Sequence, residues 1–285
     1  MPLTEVVQYF NEHLPVFHPQ AQLGRSAGFE CIGGRVSARI AGYRLYPRQA
    51  PVLSTSTGAV FGWSAKVLVE SASGRRVTPE TLYVQAWDSE DVIFLDRFLR
   101  TLNALHHLSR GEDRFGLLAM DVHLRHVAAL PEQHGQVFET LLHRLGLSPR
   151  QIVLRLSGAA LQDDHHVRAA ALSFAHRGYG LLAARPAMAD TDWALLQALG
   201  VAWVTPDAAA WGGADEPDLI GGSIEGWMRQ ARAHGIGVWL DGVGNLEAIA
   251  RASAVGADLF EGALWEPVAR PVAGTWAGRQ SVEAS

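Results

Sequence analysis

The residues of this chain that could do chemistry are scattered along it. Asp163-Asp164-His165-His166 has metal-ligand residue types, but neighbouring residues on a helix point in different directions, which disfavours their sharing one ion. One of the two aspartates is better suited to cap a helix over 167–174. His106-His107 falls at the C-terminal end of a helical pattern, where positive charge is favoured. Gly212-Gly213 and Gly221-Gly222 bracket an acidic loop, and no Gly-Lys-Ser/Thr follows, so a phosphate loop is not supported. Cys31 has no basic neighbour in sequence to activate its thiol. As the single cysteine it cannot form an intrachain disulfide, which fits a reducing compartment.

Composition sets the frame for any site. The 285 residues suit one large α/β barrel or two small domains. Apolar residues make up 48%, enough for a sizeable core, and charged residues make up 19%, below the usual ~25%. The net charge of −5 argues against a general nucleic-acid footprint, so no direct nucleic-acid partner is expected. No apolar run approaches the ~18 residues of a membrane span, and Met1-Pro2-Leu3-Thr4-Glu5 lacks the basic-then-apolar pattern of a secretion signal. The reading is a cytoplasmic protein that does not engage membranes.

The elements that must position a site follow from the hydrophobic patterning. Residues 1–41 read as an N-terminal appendage, with Thr4 capping a short helix over 5–14 that Pro15 ends, then short β-like runs. Strands are predicted over 45–53, 59–69, 115–122, 151–157, 180–184, 202–205, 237–240 and 258–260. Helices are predicted over 89–108, 136–145, 165–177, 192–199, 224–234 and 246–254. Strands alternating with helices imply a parallel sheet, and eight such strands suggest a closed barrel. The short turn Ser56-Thr57-Gly58 makes the first two strands antiparallel. The fold expected is α/β, a modified (β/α)8 TIM-like barrel over 42–275 with an antiparallel first strand, followed by a flexible tail over 276–285.

Particular residues carry a family resemblance. The segment Gly58-Ala59-Val60-Phe61-Gly62-Trp63-Ser64-Ala65-Lys66-Val67-Leu68 resembles the signature strand of EAL domains, the cyclic-di-GMP phosphodiesterases, with Ser64-Ala65-Lys66 in place of Glu-Ala-Leu. Pro51, Pro79 and Asp96 fall on family landmarks. Asp121 replaces a metal-binding Asn, and Arg155 and Gly158 replace both acids of a Glu-x-x-Glu strand. Ala184-Arg185-Pro186-Ala187 stands for Asp-Asp-Phe-Gly, and Thr205 stands for the catalytic Lys before Asp207. Leu240-Asp241-Gly242-Val243-Gly244, Gly256-Ala257-Asp258, Glu261-Gly262 and Pro267 complete a C-terminal run.

The resemblance implies a scaffold without the family's chemistry. It places Ser64, Asp121, His123, Arg155, Ala184, Arg185, Thr205, Asp241 and Glu261 in a vestigial pocket, as contacts for a ligand or partner. It implies no catalytic residue, no metal, no cofactor and a chain that is not an enzyme. A guanidinium cannot be deprotonated to ligate a metal. The expected role is regulatory binding of another protein, in bacterial signalling or control of gene expression, by a chain that also forms a homodimer. Cyclic-di-GMP binding is expected to be weak or absent, since Leu68 stands where a phosphate-contacting Arg is usual. The alternative is an inactive cyclic-di-GMP receptor, with Arg155 and Arg185 pairing with phosphates. Contact surface is expected around Met188, Trp211 and Pro217.

Overall fold

Eight strands with apolar side chains on both faces close into a barrel. The computed structural model describes residues 2–111, 116–130, 135–207 and 224–262. The barrel strands are β3 (Tyr43–Ser54), β4 (Val60–Glu70), β6 (Leu117–Asp121), β7 (Ile152–Ser157), β8 (Gly180–Ala184), β9 (Val201–Thr205), β10 (Gly237–Leu240) and β11 (Leu259–Glu261). They run in the order β3-β11-β10-β9-β8-β7-β6-β4, and β3 pairs with β4 to close the circle. β3 is antiparallel to both neighbours, while the pairings from β4 round to β11 are parallel. The β3–β4 reversal is tight: the Gly58 N–H donates to Ser54 O at 2.8 Å, with Gly58 at a φ of 66°.

The interior is an apolar stack of Val52, Ala119, Val153, Leu182, Trp239 and Leu259. The outward faces of the strands meet a helical layer that includes α3 (Ser89–Leu108) and the helices His165–His176, Ile224–Ala233 and Leu246–Ala254. Asp88 caps α3 by accepting from the Asp91 N–H, and Asp164 caps His165–His176 by accepting from the His166 N–H, as the sequence predicted for that pair of aspartates. The strand and long-helix expectations hold. Short helices α2 (Glu80–Gln85) and α4 (Leu124–Ala129), and another at Gly158–Asp163, were not expected.

The N-terminal segment differs from its expectation. α1 spans Leu3–Phe17, starts from Pro2 without a side-chain cap, and runs through Pro15. Pro15 removes the N–H bond to the Asn11 carbonyl and its ring crowds that carbonyl, yet the helix runs two residues further and closes with the His18 N–H donating to Leu14 O at 3.1 Å. Val7, Phe10 and Leu14 bury against the sheet. β1 (Gly28–Ile32) and β2 (Arg35–Ile40) then join the barrel sheet by antiparallel pairing of β2 with β3. The Asn11 amide closes the outer edge of β1: its Nδ2 donates to Phe29 O at 2.8 Å, and its Oδ1 accepts from the Phe29 N–H at 2.8 Å.

β3 and β4 are longer than the barrel needs. β11 pairs with β3 only over residues 52–54, and β6 pairs with β4 only over 62–64. The rest of the β3–β4 ladder continues past the mouth as a wall, widened by β2, β1 and the short β5 (Arg76–Val77). One face of this wall is apolar, with Val36, Ala38, Ile40, Leu45 and Val69 buried in the main core.

Candidate functional site at the barrel mouth

Parallel strands bring their C-terminal ends to one face of a barrel, and the side chains there share a mouth. Asp121, Arg155, Ala184, Arg185, Thr205, Asp241 and Glu261 all line one cavity of about 510 Å³ at that face, together with Lys66, Leu68 and Trp239. Ser64 lies fully buried beneath it.

Arg155 organises the mouth. Its Nη2 donates to Ser64 Oγ at 2.8 Å, its Nη1 donates to Asp121 Oδ1 at 3.2 Å, and its Nη2 stands 3.6 Å from Glu261 Oε2. Burial works against the charge of Arg155, but Asp121, Glu261 and Asp241 outweigh it and hold its pKa above the ordinary value. Glu261 is buried and accepts from Trp239 Nε1 at 3.2 Å, with Lys66 Nζ at 3.8 Å from its other oxygen. Lys66 and Trp239 were missed as site residues. Lys66 was legible in principle, because it lies two positions along the strand from Ser64 and so on the same face.

Across the mouth, Arg185 stands 3.9 Å from Asp241. The Asp241 carboxyl is raised above its usual range by burial first and by Glu261 second, against the pull of Arg185, Arg155 and Lys66. Arg185 has a φ of 51°, a left-handed conformation that costs a non-glycine residue roughly 1–2 kcal/mol. Its N–H donates to Thr205 O at 2.7 Å, which holds the turn. Pro186 follows and presses on Gly158, where an added Cβ would stand 2.5 Å from the Pro186 nitrogen. Gly158 is therefore a packing requirement of this turn, and a carboxylate side chain would not fit there.

His123 lies outside the cavity wall. Its ring stacks on Tyr83 with centroids 3.6 Å apart, its N–H donates to Asp96 Oδ1 at 3.0 Å, and its Nδ1 accepts from the Arg125 N–H at 3.2 Å. Asp96 is itself buried against Arg100 and His126. Met188, expected at a contact surface, is half-buried against the core, and Trp227 is buried, donating to Thr191 Oγ1 at 3.0 Å. Trp211, Pro217 and Pro267 lie outside the described residues.

The donor set does not fit a metal ion. Among the described residues no group of three His, Cys, Asp or Glu side chains could hold one, and the guanidinium of Arg155 pairs with the Asp121 and Glu261 carboxylates.

The EAL domain family model matches residues 34–268. The chain belongs to the EAL domain family. The EAL fold is shared with the phosphodiesterase PaMucR in its c-di-GMP complex, at a TM-score of 0.62 and 14% identity over 76% of this chain and 89% of that one. The EAL domain of FimX from Pseudomonas aeruginosa, bound to c-di-GMP, gives a TM-score of 0.62 and 13% identity over 92% of this chain and 94% of that one. BlrP1 of Klebsiella pneumoniae, as a calcium and cyclic-di-GMP complex, gives a TM-score of 0.61 and 18% identity over 93% of this chain and 64% of that one. This EAL chain also spans only 62% of the EAL enzyme Bd1971. No curated protein matches the sequence. The expectation that the chain is not an enzyme is corrected at family level, because the EAL family it belongs to has an enzyme and a phosphodiesterase among its solved structures. Among the described residues no helix is long and apolar enough to cross a membrane.

Proposed function

We propose that this EAL domain is a regulatory module of cyclic-di-GMP signalling that acts by binding another protein in the cytoplasm. The observation that carries the reading is the bonding of Arg155. One guanidinium joins Ser64, Asp121 and Glu261 and so ties four strands together by one hydrogen bond and two ion pairs. A mouth braced in this way suits a rigid docking surface. A second reading, a cyclic-di-GMP receptor, is favoured by the half-exposed Lys66 and the 65%-exposed Arg185, which border the cavity.

The two readings separate in one experiment. Purified protein is titrated with cyclic-di-GMP by calorimetry, and the nucleotide is then followed over time with magnesium or manganese. The protein-binding reading expects a Kd weaker than about 10 μM, or about 7 kcal/mol of binding free energy. Submicromolar binding moves the assignment to the receptor. Turnover that chelation abolishes overturns both.

A further inference from the structure

The exposed face of the wall beyond the mouth is strongly cationic. Arg39 and Arg44 stand directly opposite each other on β2 and β3, and Arg48 and Lys66 stand directly opposite on β3 and β4. Opposed side chains on antiparallel strands lie ~5 Å apart, and like charges in that relation are destabilising. Compensation is partial. Arg39 reaches Glu30 at 3.6 Å and Lys66 reaches Glu261 at 3.8 Å. Glu70 lies opposite Arg44 in register but makes no ion pair with it among the described residues. Exposed Arg35 and Arg76 extend the cationic surface along β2 and β5. All this sits on a chain of net charge −5. A costly local excess of one sign on a molecule of the other sign calls for a counter-charge from outside.

The pattern within the face selects the kind of partner. Between the two cationic rows lies an apolar row, Tyr46 opposite Leu68. Rows on one face of a strand repeat every second residue, about 6.8 Å. An extended peptide has the same repeat, so carboxylates at its first and fifth positions reach the two cationic rows while its third side chain meets Tyr46 and Leu68. A nucleic-acid strand carries a charge on every nucleotide and would call for an unbroken cationic track, which this face interrupts. Arginine, dominant here, presents a planar fork that pairs with carboxylates through two bonds. Lys66 and Leu68 also line the cavity, so the bound segment would lie along its rim.

We infer that this face docks an extended acidic segment of a partner protein, with carboxylates on either side of an apolar residue. The inference rests on the protein-binding reading above and supplies the partner's chemistry. The test is fluorescence anisotropy on the full chain at low salt, with a dye-labelled peptide of repeated Glu-Ser-Leu-Ser units. Binding should be saturable, weaken as salt is added, and fall about tenfold in Arg44→Glu. The melting temperature of that variant should stay within about 2 °C, as for an ordinary surface substitution. Should it fall further, Arg35→Glu at the exposed start of β2 serves for the same comparison. Absent peptide binding, binding indifferent to these substitutions, or an oligothymidylate bound as tightly as the peptide would each overturn the inference. Tight cyclic-di-GMP binding or turnover would instead overturn the regulatory reading and leave the peptide result standing, so the two failures are distinguishable.

Discussion

Arg155 and Asp121 are bonded to each other yet should behave very differently when removed. Arg155 is largely buried, whereas the Asp121 carboxylate is 66% exposed. Arg155→Ala leaves the buried Glu261 without its guanidinium, and breaking a buried pair from one side costs about 3–5 kcal/mol. Lys66 and Trp239 still contact Glu261, which favours the lower end of that range. Asp121→Ala should cost about 1 kcal/mol or less, as exposed pairs do. Urea melts of the two variants check the contrast, and equal losses would show that Glu261 does not depend on Arg155. Asp241 offers a test in pH. Its folded-state pKa is raised, so its favourable contribution is complete below the unfolded value of about 3.9 and is lost as pH rises through the folded value. Asp241→Asn should therefore be more stable than the parent at neutral pH, with the advantage vanishing towards pH ~4. Destabilisation at neutral pH would mean that the contact with Arg185 at 3.9 Å outweighs the cost of burial. At this scale the sequence was only partly readable. Matching family landmarks placed Asp121, Arg155 and Asp241 at one mouth, but the partnership of Arg155 with Glu261 depends on distances across the barrel that no linear spacing carries.

Helices and strands were legible to the extent that their patterns were long. α3, with 20 residues, shows its period plainly; α2 and α4, with six residues each, are too short to complete two turns of pattern. α1 misled because Pro15 reads as a stop, whereas the helix continues to Phe17 past it. The joint between α1 and α3 carries a pH liability. His18 ends α1, sits edge-on to Phe94 at 5.2 Å, and has its pKa lowered from 6.5 to about 4 by burial and then by Arg97. His106, near the end of α3, is likewise lowered to about 4, by burial first and by Arg110, Arg48 and His107 after it. Both must be neutral in the folded chain, so the stability they allow is present above pH ~6.5 and drains away as pH falls towards 4. His18→Phe should flatten that loss in thermal melts between pH 7 and 4. An unchanged pH profile would place the acid sensitivity elsewhere.

For the whole molecule, composition and arrangement point in opposite directions. A net charge of −5 hides a cationic wall, because Arg35, Arg39, Arg44 and Arg48 are concentrated in one hairpin, and pairing in register sets Arg39 directly against Arg44. The barrel itself was legible from strand–helix alternation, since eight repeats of one pattern leave few closed topologies. Assembly is the remaining property at this scale. We expect a twofold dimer, and light scattering on the full chain at several concentrations up to ~100 μM checks it against the micromolar range of transient complexes. A strict monomer there removes the dimer and leaves the acidic partner as the only binding role.

Loss of the Asn11 latch would change how this sheet edge behaves in storage. Its side-chain amide imitates one residue of a missing strand, donating to and accepting from Phe29 with both bonds at 2.8 Å. Deamidation replaces that donor with a second acceptor, which would face the Phe29 carbonyl and push the helix off the strand. The freed edge would then be open to pairing with any other exposed strand, and such edges seed aggregation. Asn11→Asp should make the same exchange of donor for acceptor in one step, keeping the barrel's circular dichroism while turbidity rises on storage at 37 °C. Clear solutions after storage matching those of the parent chain would show that α1 guards the edge without the amide.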